Sequence, residues 1–141
     1  MELKKFRDGL VSYIASAFPA FSGKYQLPDH FITTDFLDFD KHKNSFQIFV
    51  DFDSVSFPDQ PFTDDCSPAF DTTVNIWIVM RNKTINELDE YLLNAAGAMT
   101  DTVRACANYH KIKAEKIDFF KYTEGNANLV SARLQIRITA E

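Results

Sequence analysis

The chain has 141 residues, of which 45% are hydrophobic and 25% charged, the composition of one globular domain able to bury its own core. No run approaches the roughly 18 apolar residues of a membrane span, and the net charge of −5 argues against nucleic acid as a specific target. Fourteen phenylalanines, five tyrosines and one tryptophan are a high count, so some rings are expected at a surface that another molecule covers and most of the others in a Phe-rich core.

At the start, Leu3, Phe6, Leu10, Ile14 and Ala17 recur at spacings of three and four, the apolar stripe of an amphipathic helix over residues 2–18. Pro19 is expected to end it, because proline cannot extend the helical ladder. The same residues carry charges where a signal peptide would have its apolar run, so export is not expected and a cytoplasmic location is. Cys66 and Cys106 are then read as free thiols.

Strands follow. "FITTDFLDF" (31–39) is a strand with imperfect alternation, and "KHKN" (41–44) a turn. "FQIFVDF" (46–52) alternates, with Phe46, Ile48, Val50 and Phe52 on one face. In "TVNIWIVMR" (73–81) Val74, Ile76, Ile78 and Met80 share a face, while Asn75, Trp77 and Val79 make a second face apolar enough to be partly covered. Between these strands, about residues 54–72, lies an irregular loop rich in proline, aspartate and phenylalanine; loops of that length in compact domains are functional or disordered.

"TINE" (84–87) matches a capping box, and the helix it opens buries Leu88, Tyr91, Leu92, Ala95, Met99, Val103 and Cys106. Gly97 within "NAAGA" is expected to keep this helix slim where it packs on the sheet. "KIKAEKIDFFKY" (111–122), a turn at 123–128 and "LVSARLQIRITA" (129–140) form a C-terminal hairpin with one apolar face. The fold class is therefore α+β: one domain over residues 1–141, with a mostly antiparallel sheet carrying an N-terminal and a long central helix on one face.

Chemistry is hard to find along this chain. Its four glycines, Gly9, Gly23, Gly97 and Gly125, are too scattered for a phosphate-cradling loop. His30, His42 and His110 show no zinc-ligand spacing with either cysteine. Asp38, Asp40, Asp51 and Asp53 could face one another on adjacent strands and hold a hard cation, as in a metal-dependent enzyme; the simpler reading is a solvated face. Neither a cofactor nor a catalytic constellation is expected.

Charge is uneven. Residues 29–71 balance to −8, while residues 104–121 balance to +3 through Arg104, Lys111, Lys113, Lys116 and Lys121. An acidic middle and a basic later segment suit head-to-tail contact between copies of one chain.

The order of "FRDGLVSYIASAFPAF", "FQIFVDFD", "TTVNIWIVM", "NKTINELDEYL" and "KIDFFKY…LVSARLQIRITA" resembles the tail terminator and tail-completion proteins of tailed bacteriophages. That resemblance covers nearly the whole chain. It implies a non-enzymatic virion assembly protein, typically a ring of six copies, that caps the tail tube and joins it to the head or neck connector. Phage DNA would pass through such a ring without specific binding. The loop also acquires a role, in which Phe57, Phe62 and Phe70 would be apolar anchors for protein contact, rimmed by Asp59, Asp64 and Asp65. The alternative is a small module that binds a protein or peptide through a sheet edge.

Overall fold

The structure, a computed structural model, describes residues 3–28, 30–33, 46–57, 70–81, 85–106, 111–124 and 127–140. The chain runs α1 (Leu3–Ser22), a 3-10 turn (Gly23–Tyr25), β1 (His30–Thr33), β2 (Phe46–Ser56), β3 (Phe70–Arg81), α2 (Ile85–Arg104), β4 (Lys111–Glu124) and β5 (Ala127–Ala140). The five strands form one sheet in the order β1-β2-β3-β5-β4. The expected α+β class holds. All pairings among β2, β3, β5 and β4 are antiparallel, and the C-terminal hairpin is β4–β5.

One face of the sheet and both helices share a single core. Phe46, Ile48 and Val50 of β2, Val74, Ile76, Ile78 and Met80 of β3, and Val130, Ala132, Leu134, Ile136 and Ile138 of β5 are all at most 1% exposed. Leu10, Ile14 and Phe18 of α1 and Leu88, Leu92, Ala95, Met99 and Val103 of α2 close this core from the other side. The helices also meet directly, where the Tyr13 hydroxyl donates to the Thr102 carbonyl at 2.6 Å.

Several boundaries depart from the sequence reading. Helix α1 continues through Pro19 to Ser22. One lost backbone hydrogen bond is offset by Phe18, 1% exposed and edge-on to Phe46, and by Phe21 packing on the same core. Of the strand expected at 31–39, the described part is β1, His30–Thr33, and it pairs parallel to β2. Residues 34–45, including the expected turn, lie outside the described residues.

Strands β2 and β3 also reach further into the expected loop, pairing as far as Ser56 with Asp71. An irregularity between Phe52 and Ser54 breaks the alternation there and hides this extension from a two-residue pattern. The β4–β5 hairpin likewise extends to Glu124 with Ala127, leaving only residues 125 and 126 between its strands.

In α2 the buried stripe gains Ala96, Ala98 and Thr102, the last donating to the Ala98 carbonyl at 2.7 Å. Cys106 falls beyond the helix as a half-buried free thiol; Cys66 lies outside the described residues. Gly97 points away from the sheet with nothing within 4 Å of the position its Cβ would occupy, so the slim packing comes from Ala95, Ala96 and Ala98. Among the described residues, no helix is long and apolar enough to cross a membrane.

Gly97→Ala should therefore stabilise the protein by about 0.5–1 kcal/mol, since it restores helix propensity in open space. Leu134→Ala, by contrast, should cost about 2–5 kcal/mol by opening a cavity in the core. Urea unfolding of the two variants checks both signs.

Candidate functional site

The second face of the sheet, away from the helices, divides into two halves. Gln47 and Phe49 of β2, Asn75 and Val79 of β3 and Ser131 of β5 are buried there. Toward the β4 edge the side chains are exposed: Lys111, Lys113, Lys116, Phe120 and Tyr122 on β4, with Arg137 on β5. Strand register sets the rows across this half. Trp77 lies beside Arg133 and Arg133 beside Asp118, while Phe120 lies beside Ser131.

Arg133 organises the centre of this surface. Its guanidinium lies 5.4 Å from the Trp77 ring centroid and 5.6 Å from that of Phe120, and it donates to Asp118 Oδ2 at 2.8 Å. The two rings are themselves 5.8 Å apart at 30°. A cation beside two neighbouring aromatic rings gains from both quadrupoles and ties the three groups together. The hydrogen bond from Arg133, aided by Lys116 at 3.5 Å, outweighs partial desolvation and holds the Asp118 carboxyl below its ordinary range.

At the far end of the same half, Asp71, Lys111, Lys113, Arg137 and Thr139 line a shallow hollow of about 300 Å³. Thr139 Oγ1 donates to Asp71 Oδ1 at 2.8 Å, and Arg137 Nη2 to Oδ2 at 3.1 Å. The Thr139 bond first, then Arg137 and Lys111, lower the Asp71 pKa despite its partial desolvation. One carboxylate among three cations leaves an excess of positive charge.

Across the sheet the sign reverses. Desolvation and the neighbouring charge of Asp53 raise the pKa of Asp51 on β2. Its cross-strand neighbour Asn75, 7% exposed, has a buried Oδ1 that no donor reaches among the described residues. Lys4 and Arg7 of α1 line a hollow with Asp51, yet its carboxyl is still raised, so among the described residues its negative charge is not fully compensated.

The residues expected to carry function are spread unevenly over this picture. Phe57, just beyond β2, is 59% exposed. Phe70 opens β3 at 8% exposure, with its ring 5.6 Å from that of Phe6; it is a packing residue of this chain, not a projecting loop anchor. Asp59, Phe62, Asp64 and Asp65 lie outside the described residues. In the basic segment, Lys111, Lys113 and Lys116 share the exposed half-face, whereas Lys121 turns to the helix side and pairs with Asp89 of α2 at 3.0 Å. Arg104 is exposed in the last turn of α2, apart from these lysines in the fold.

Asp38 and Asp40 lie outside the described residues. Among the described residues, no group of three or more histidine, cysteine, aspartate or glutamate side chains comes close enough to hold a metal. Sequence reasoning missed the cluster of Trp77, Phe120, Arg133 and Asp118. Their alternation was visible, but their proximity depends on β5 lying between β3 and β4. No protein-family model matches the chain, and a search among curated proteins finds no match.

Because Asp71 has a lower pKa folded than unfolded, its contribution to stability is present above the unfolded value near about 4 and is lost as pH falls through the folded value. Thr139→Val removes the leading hydrogen bond while keeping the branched shape. The melting temperature of the variant should fall below wild type at pH 7, and the gap should close on acidification toward about pH 2. A gap independent of pH would assign the loss to packing instead.

Proposed function

We propose that this chain is a structural assembly protein that acts by associating with copies of itself, in the manner of the phage tail terminators its element order resembles. In that role it carries no catalysis: a ring of about six copies caps a tail tube and joins it to the neck. The observation that carries this reading is the division of charge between the two edges of the sheet's second face. Asp51 and Asp53 lie on β2, and Lys111, Lys113 and Arg137 lie on β4 and β5. Opposite signs on opposite edges suit a heterologous contact, which closes into a ring or runs on as a filament.

The long edge strand β4 supports the same reading. Its lysines and the irregularity between Ala114 and Lys116 guard the first half against unwanted pairing. The second half has less protection, and on the helix side it exposes Phe119 (46%), while Leu93 of α2 is also exposed (54%). Apolar surface beside strand backbone that no described strand pairs is what strand addition from a second copy would cover.

Light scattering behind a sizing column tests the proposal. Wild type should show a mass of several copies that falls as salt rises, since exposed charge pairs are screened. Lys111→Glu with Lys113→Glu should lower that mass, and so should Asp51→Lys with Asp53→Lys. All four substitutions in one chain should restore it. A monomer at every concentration, or a mass indifferent to both reversals, would refute charge-matched self-assembly.

A further inference from the structure

Beyond self-assembly, we propose that the exposed half of the second face binds single-stranded nucleic acid. Bases would stack on Phe120 and Tyr122, and phosphates would meet Lys113, Lys116 and Arg137. The surface is ordered before any ligand arrives: Asp118 holds Arg133, and Arg133 holds the Trp77 and Phe120 rings. Phe120 is nevertheless 43% exposed and Tyr122 57%, so each leaves ring surface accessible.

Between Lys111 and Tyr122, the exposed half of β4 and β5 gathers Lys111, Lys113, Lys116, Arg133 and Arg137; among the described residues the acids beside them are Asp71, Asp118 and the exposed Glu115 at the strand irregularity. The Asp71 and Asp118 carboxylates are already bonded to arginine, so those two offer an incoming anion little opposition.

The geometry favours a single strand over a duplex. On a strand, alternate residues are about 7 Å apart on one face, so Phe120 and Tyr122 present successive platforms. Every nucleotide supplies a π face and an anion together, which is the pairing this surface offers. A duplex keeps its base faces stacked inside, and a flat sheet cannot reach them. An acidic polypeptide would satisfy the cations but supplies no regular partner for the two rings.

Trp77 is the chain's only tryptophan and lies under the platform, so its fluorescence reports binding directly. The wild-type chain would be titrated with a 12-residue oligothymidylate at several salt concentrations. Binding should change Trp77 emission and weaken with salt at a log–log slope near about −2, the value for three phosphate contacts on a single strand. Phe120→Ala and Tyr122→Ala should each weaken binding about tenfold. Lys113→Gln with Lys116→Gln, which leaves the core untouched, should reduce the magnitude of the slope to less than about 1.

Three results would overturn the proposal. One is no salt-sensitive binding; another is equal affinity for polyglutamate or for a duplex of the same length, which would mean charge alone acts. The third is unchanged affinity in a folded Phe120→Ala or Tyr122→Ala protein.

Discussion

Strand β3 carries the constraint on which the rest of the structure depends. It is the central strand, paired with β2 from Ser56–Asp71 to Phe46–Met80 and with β5 from Phe70–Ala140 to Arg81–Leu129. Its core-facing row, Val74, Ile76, Ile78 and Met80, is at most 1% exposed, and Asn75 and Val79 on its other face are buried too. A one-residue slip would move that row out of the core it shares with the helices and put Asn75 and Trp77 in its place. The register so fixed puts both helices on one face. It also determines which charged and aromatic residues meet on the second face.

The second face then follows from strand order. With β5 between β3 and β4, Arg133 sits within reach of Trp77, Phe120 and Asp118, although these residues are spread over three strands. Asp71 on β3 likewise meets Arg137 and Thr139 on β5. These local pairs satisfy the carboxylates on the β4 side, while the Asp51 and Asp53 carboxylates on β2 repel each other. Each such exposed pair contributes little to stability alone. Their sum across the sheet sets a polarity that an incoming partner would meet.

Much of the fold was legible because burial on one face imposes period two on strands and a three-to-four spacing on helices. The rows Phe46–Ile48–Val50, Val74 to Met80 and Val130 to Ile138 follow directly from that rule. What the rule missed has physical causes. The irregularity around Asp53 interrupts alternation and concealed the reach of β2 to Ser56. Pro19 is a local signal overridden by the tertiary anchoring of Phe18, and Gly97 suggested close packing where the helix faces open space. Parallel pairing of β1 with β2, like the meeting of Trp77 with Arg133 and Phe120, is set by topology, which periodicity within a strand does not encode. Of the site, the lysines of β4 were visible in the sequence. The aromatic platform beside them was not.

Hydrogen exchange at the β4 amides, resolved by residue and followed against protein concentration, tests most directly the claim that this edge is a site of assembly. Amides of Ile117–Tyr122 that point away from β5 should exchange fast in dilute protein and become protected as concentration rises, while amides of β3 stay protected throughout. Fast exchange along that edge at every concentration, under conditions where the protein associates, would contradict the account and move the contact elsewhere.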